Sequence, residues 1–229
     1  MKKEQHADPL RFSVIATDTI VFTLSDNNLL VRLIKVNRPP FFVNMQGLPG
    51  GLIDPKENAD QSARRHIETK SHIYSPQLYI EQLYTFSEVE RDRRGRVISI
   101  AYTGLIAWNA LCAAEQKHTP DTWWSTIKKA HKLAYDHDTM LTFALKRLRS
   151  RIIYTTLISK LMPTEFTLTE LENAYEAILD TKLDKRNFRK KILKLDIVIP
   201  TKDKRSGGRF RPAQLYRFAS NIVHDVDIL

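Results

Sequence analysis

The stretch from residue 151 to residue 218 carries so many local start and stop signals that few folds can accept it. Ile153, Leu157 and Leu161 recur every four positions, which predicts an amphipathic helix over residues 151–162, ended by Pro163. Thr167 with Glu170 three residues later is a capping box, because each side chain can satisfy the other's free backbone amide. It opens a second helix to about residue 179, with Leu168, Leu171, Tyr175 and Ile178 on one face. Asp184 caps a third helix over residues 185–195, whose Phe188, Ile192 and Leu195 form a core stripe. A short strand at 197–200, a polar loop at 201–212 and a second strand at 215–218 complete the pattern. Three helices followed by a basic hairpin are the winged form of the helix-turn-helix.

Charge sharpens this reading. Residues 182–217 hold 13 Lys and Arg against three Asp, a net charge of +10, which equals the net charge of the whole chain. A basic excess confined to one short segment is an electrostatic footprint for a polyanion. Lys185, Arg186, Asn187, Arg189, Lys190 and Lys194 lie off the apolar stripe of the third helix. Of these, Arg186, Asn187 and Arg189 are candidates for base edges or nearby phosphates. Lys190 and Lys194, with Lys204, Arg205, Arg209 and Arg211 of the wing, suit phosphate positioning. The expected partner is double-stranded DNA.

The rest of the 229 residues reads as mixed α/β. Strands are expected at 12–24 and 29–36, joined by the turn Ser25-Asp26-Asn27-Asn28, and at 77–86 and 96–108. Residues 41–51 read as an irregular approach, 58–70 as a helix capped by Asn58, and 126–135 and 139–150 as further helices. The fold class is therefore α+β, with a sandwich domain over residues 1–148 and the winged helix over 149–229. Arg91-Asp92-Arg93-Arg94 reads as a solvated hairpin tip or as an arginine contact to phosphate. No apolar run approaches the ~20 residues that span a bilayer, and no apolar signal segment follows the polar N-terminus. The single cysteine, Cys112, offers no disulfide or metal cluster. A cytoplasmic protein without a membrane partner is the expectation.

One motif speaks to chemistry. Gly51, Glu57 and Arg65 stand at the spacing of a Nudix box, with Ile67 and Ile73 in its two hydrophobic positions. The three glutamates that follow the arginine in a complete box are replaced by His66, Thr69 and Lys70, and its second glycine by His72. Nudix hydrolysis of a diphosphate uses divalent cations held by clustered helix carboxylates. Lys70 puts a cation where such a carboxylate would sit and repels the metal. The expectation is a binding pocket with no catalytic residues, no metal and no cofactor.

The chain as a whole resembles the Nudix-related transcriptional regulators of the NrtR group, which control NAD metabolism in bacteria. The resemblance rests on Gly47-Leu48-Pro49-Gly50-Gly51 with Asp54, on Arg91-Asp92 with Arg94-Gly95, and on Ser99, Ala101 and Tyr102. Trp123-Trp124, Ala134-Tyr135-Asp136-His137, Asn187-Phe188-Arg189-Lys190-Lys191 and Arg211-Pro212-Ala213-Gln214-Leu215-Tyr216 extend it nearly end to end. It implies a Nudix-like α/β/α sandwich ahead of the winged helix. It also implies a homodimeric repressor on a palindromic operator, released by ADP-ribose or a related nucleotide. Effector contacts are expected from Phe42, Gln46, Arg65, Arg94, Tyr102 and His137: an aromatic face for a purine, arginine forks for a diphosphate, and His137 for ribose or phosphate. Gln46 stands where the group often has a tryptophan. The alternatives are an active pyrophosphatase on ADP-ribose-like substrates, a sugar-responsive regulator of the same architecture, and an RNA-binding or protein-interaction module.

Overall fold

The structure is a computed structural model and describes residues 12–205 and 212–229. Its first half is built on one mixed sheet. Strands β1 (Val14–Ser25) and β2 (Asn28–Arg38) form a hairpin whose turn residues Asp26 and Asn27 both have positive φ. That is the backbone of the tight two-residue turns that match strand twist. Next come β3 (Phe42–Gly47), β4 (Gly50–Leu52), β5 (Tyr79–Phe86), β6 (Val97–Leu105) and β7 (Thr122–Thr126). The order is β3-β2-β1-β6-β5, with β4 added to β1 and β7 to β2. The β1–β6 pair is parallel, and the other pairs are antiparallel.

The two hairpin strands soon part. β2 pairs with β1 from Phe22–Val31 to Ser25–Asn28, then runs along β7 and β3, while the first half of β1 pairs with β4. The parting opens a cleft between the strands. Alternation along β1 assigns its faces: Ile20 and Phe22 join the main core, and Val21 joins a second cluster with Ile67, Ile73 and Leu78. Helix α1 (Ala59–His66) lies over one face, tied to β1 by the buried Thr17–Ser62 hydroxyl pair at 3.1 Å. The expected Asn58 cap is present as a full capping box with Gln61. The short α2 (Ala113–Gln116) follows β6, and α3 (His137–Tyr154) covers the other face through Met140, Leu141 and Ala144.

The second half contains α4 (Leu168–Leu179), α5 (Lys185–Lys194) and the hairpin β8 (Val198–Arg205) with β9 (Ala213–Phe218). The caps read from sequence are in place: Thr167 with Glu170 opens α4, and Asp184 accepts the Asn187 amide at 2.7 Å to open α5. Leu148, Ile152, Leu157, Leu171, Ile178, Phe188 and Ile192 belong to the same core cluster as the sheet, so apolar packing is continuous through the chain.

Four expectations are corrected. Residues 41–51 are not irregular but carry β3 and β4. Residues 126–135 are not a helix: β7 pairs with β2, a single 3-10 turn follows, and Lys132 and Tyr135 both take positive φ. Residues 151–162 are not one helix. Helix α3 runs unbroken through 148–154, and Thr155 turns extended there to cap the Leu157 amide and start a 3-10 turn, Thr156–Lys160. The polar loop expected from 201 begins later, because β8 extends to Arg205.

Candidate functional site

The cleft between the diverging strands has a volume of about 700 Å³, within the range of small-molecule sites. β1 contributes Asp18, β2 contributes Lys35 and Arg38, and the loop before β6 contributes Arg91, Asp92 and Arg94. Tyr135 and His137 close one side from the start of α3. Its floor is a buried polar cluster. Arg91 donates a two-pronged fork to Asp136 at 2.9 and 2.7 Å and lies 3.5 Å from Asp18. Asp18 also accepts from the Ser99 hydroxyl at 2.7 Å. Nδ1 of His137 accepts the Leu48 amide at 2.9 Å, so the ring proton sits on Nε2, 3.5 Å from Asp18. Burial alone would raise the Asp18 pKa, but the hydrogen bonds from His137 and Ser99 and the charge of Arg91 outweigh it and hold the carboxyl at about 2. Nearer the mouth, Arg94 is paired with Asp92 at 2.7 Å and lies over the Tyr135 ring at 5.1 Å. Arg91 and Asp92 are buried, so the solvated-tip reading does not hold for them.

The box helix lines the opposite wall. Gly50 lies so close to β1 that a Cβ there would fall 2.5 Å from the Thr17 carbonyl, which only glycine allows. A Cβ on Gly51 would fall 2.8 Å from both His66 and the Lys70 ammonium. After α1 the chain widens into a π turn, Ile67–Ser71, closed by His72 in the left-handed conformation at the position where the full box has glycine. The buried Arg32 donates to the Ser71 carbonyl at 2.8 and 3.2 Å and fixes the end of this turn; burial lowers its pKa to about 10. Lys70 thereby projects into the cleft, its ammonium donating to the Gly50 carbonyl.

The residues present do not fit the divalent metal of a Nudix hydrolase. Lys70 fills one carboxylate position, the Thr69 hydroxyl donates back to the Arg65 carbonyl at 2.7 Å, and His66 Nε2 faces the Leu52 carbonyl at 3.1 Å. Glu57 is held by the Arg65 fork, and Glu68 is exposed. Among the described residues no group of three or more His, Cys, Asp or Glu is placed to hold a metal.

A second surface is cationic. Lys185, Arg186, Asn187, Lys190 and Lys194 are exposed along α5, while Phe188 and Ile192 are buried beneath them and Phe188 packs edge-on to Tyr175 at 5.3 Å. Lys204 and Arg205 are exposed at the end of β8. Two arginines have partners within the chain: Arg205 is ion-paired with Glu170 at the surface, and Arg189 donates to Thr169 at 2.6 Å and lies 3.8 Å from Glu172. Arg209 and Arg211 lie outside the described residues. A helix with donors on one face and a packed stripe on the other is the element that enters a major groove.

Residues 158–218 match the model of the NrtR DNA-binding winged helix domain. Over 222 residues the chain is 35% identical to a protein of Acinetobacter baylyi named ADPR responsive transcriptional repressor NtrR, covering 95% of this chain and 85% of that one. The chain belongs to the NrtR family of Nudix-related transcriptional regulators. The crystal structure of Shewanella oneidensis NrtR complexed with a 27mer DNA is 32% identical, with a TM-score of 0.78 over 89% of this chain and 93% of that one. The isolated Nudix domain of the same Shewanella protein, crystallised with ADP ribose, matches 62% of this chain and 94% of its own length at 32% identity and a TM-score of 0.53.

Of the six effector residues expected from sequence, Arg94 and His137 line the cleft, and the other four do not. Phe42 is buried against Tyr135, with ring centroids 4.0 Å apart. Gln46 sits in β3 opposite Lys35. Arg65 is locked on Glu57 and the Leu52 carbonyl. The Tyr102 hydroxyl donates to Asp60 at 2.6 Å. Sequence reasoning missed Asp18, Lys35, Arg38, Lys70 and Tyr135 as lining residues of this NrtR-family cleft. For Lys70 a signal existed, since a cation in a metal-binding motif is as informative about ligand charge as about lost catalysis.

Proposed function

We propose that this chain is a transcriptional repressor that binds duplex operator DNA through α5 and the wing and is released by ADP-ribose or a related nucleotide in the cleft. The observation that carries this reading is the pairing, in one NrtR-family chain, of a cation-lined cleft at a Nudix box with the exposed cationic face of α5. A diphosphate suits Arg38, Lys70 and Arg94, and an adenine or ribose suits the Tyr135 face and His137. The box lacks the carboxylates that would hold a metal and activate water, so the cleft retains its ligand without cleaving it. Residues 1–148 sense and residues 149–229 read DNA. The working form is a homodimer on a palindromic operator, because two symmetric reading heads multiply specificity through half-site spacing. The regulated genes belong to NAD metabolism, where an ADP-ribose signal reports turnover.

A fluorescence-anisotropy titration with the promoter fragment beside the chain's own gene tests this. Tight binding with a steep salt slope, weakened at least tenfold by saturating ADP-ribose, is the expected result. Binding that ignores ADP-ribose removes the effector assignment. Chromatographic detection of AMP and ribose phosphate on incubation with magnesium would make the cleft an active site instead.

A further inference from the structure

Lys70 both excludes the metal and faces the cleft. We propose that its ammonium takes the place of the divalent cation and contacts the effector's diphosphate directly, so that effector binding needs no metal. The inference rests on the effector reading of the cleft. Three observations support it. The Lys70 Nζ is anchored on the Gly50 carbonyl, a neutral acceptor rather than a carboxylate, so its charge is not cancelled at its own contact. It lines the same cleft as Arg38 and Arg94, and the Gly51 backbone leaves room for it only because no Cβ intervenes. Third, the nearby acids are already engaged: Asp18 by Ser99, Arg91 and His137, and Asp92 by Arg94.

The electrostatics agree with the geometry. Burial is the largest influence lowering the Lys70 pKa, opposed by Asp18, and the charges of Arg38, Arg65 and Arg94 lower it further. A cation held among other cations, with one N–H used among the described residues, is poised for an anion. A phosphoryl oxygen in the cleft would relieve that repulsion and accept a charge-assisted hydrogen bond. An ammonium attracts the diphosphate as a metal would, but it carries no coordinated water to activate. The replacement thus separates recognition of the diphosphate from its hydrolysis.

Calorimetric titration of the full chain with ADP-ribose, in EDTA and again in magnesium, is the direct test. Equal affinity in the two buffers, within about twofold, is expected. Lys70→Gln and Lys70→Met should each weaken ADP-ribose binding at least about tenfold, the worth of a charge-assisted contact, with Lys70→Arg retaining most of it. Adenosine, which has no diphosphate, should bind all four proteins alike. A wild-type chain that binds ADP-ribose only with magnesium, or variants that bind it as wild type does, would overturn the proposal while leaving the effector reading intact. No binding to wild type in either buffer would remove the effector reading itself, and this inference with it.

Discussion

Arg91 and Lys190 carry the same charge, and the fold treats them in opposite ways. The Arg91 side chain is 3% exposed and fully engaged by Asp136 and Asp18. Lys190 stands in solvent on α5. The contrast extends to their neighbourhoods. In the first half Arg32 is also turned inward, onto the Ser71 carbonyl, and the part-exposed Arg65 is paired with Glu57. In the second half Lys185, Arg186 and Lys194 are left exposed beside Lys190. The charge of Arg91 and Arg32 holds the sheet domain together from inside, whereas α5 leaves the charge of Lys185, Arg186, Lys190 and Lys194 in solvent. The two uses predict different consequences of mutation. Removing an inward cation should damage the fold, and removing an outward one should damage binding alone.

The largest expected effect tests the inward side. Arg91→Ala leaves Asp18 and Asp136 without their shared partner beneath the cleft, and loss of one partner of a buried ion pair costs about 3–5 kcal/mol. Urea unfolding should show that loss, and a change under about 1 kcal/mol would mean that water satisfies the cluster. The outward side comes next. The double variant Arg186→Glu with Lys190→Glu should weaken operator binding about a hundredfold at ~0.1 M salt and flatten the log-log salt slope by about two. Its melting temperature should stay near that of wild type, as for surface substitutions. A large drop in melting with intact DNA binding would reverse the comparison.

How much was legible in the sequence follows the same division. The winged helix was readable because its signals are local: Thr167 with Glu170 and Asp184 with Asn187 act across three residues. The exposed face of α5 followed from its period. The cleft was readable only in part, through the box with Arg94 and His137, because most of its contacts join distant segments. His137 meets Leu48 across 89 positions, and Arg91 meets Asp136 across 45. No periodicity reports such pairings. The box arginine misled for a related reason: Arg65 looked free for phosphate until Glu57, eight residues earlier, was seen to hold it. His72 takes a φ of 54°, the left-handed region that explains why the motif favours glycine there.

A smaller effect separates the halves by pH. Asp18 titrates at about 2 in the folded chain against 3.8 as its ordinary value. A depressed carboxylate stabilises the fold above its unfolded pKa, and that contribution disappears as pH falls through its folded pKa. Asp18 therefore contributes about 2 kcal/mol at neutral pH, present above about pH 4 and lost toward pH 2. Unfolding free energies measured at pH 7, 4 and 2.5 should show that decline in wild type and a flatter one in Asp18→Asn. Equal slopes would mean that the acid sensitivity lies elsewhere.

The smallest effect concerns a place where the winged helix buries a polar group at no evident benefit. Tyr175 lies fully inside α4 against Phe188, and its hydroxyl has no hydrogen-bond partner among the described residues. Burial pushes its pKa far upward, the mark of a hydroxyl removed from water without compensation. Tyr175→Phe removes the oxygen and keeps the ring that supports α5. The variant should be as stable as wild type or more stable by up to about 1 kcal/mol, with operator affinity unchanged. A loss of stability would show that the hydroxyl has a partner inside the reading head.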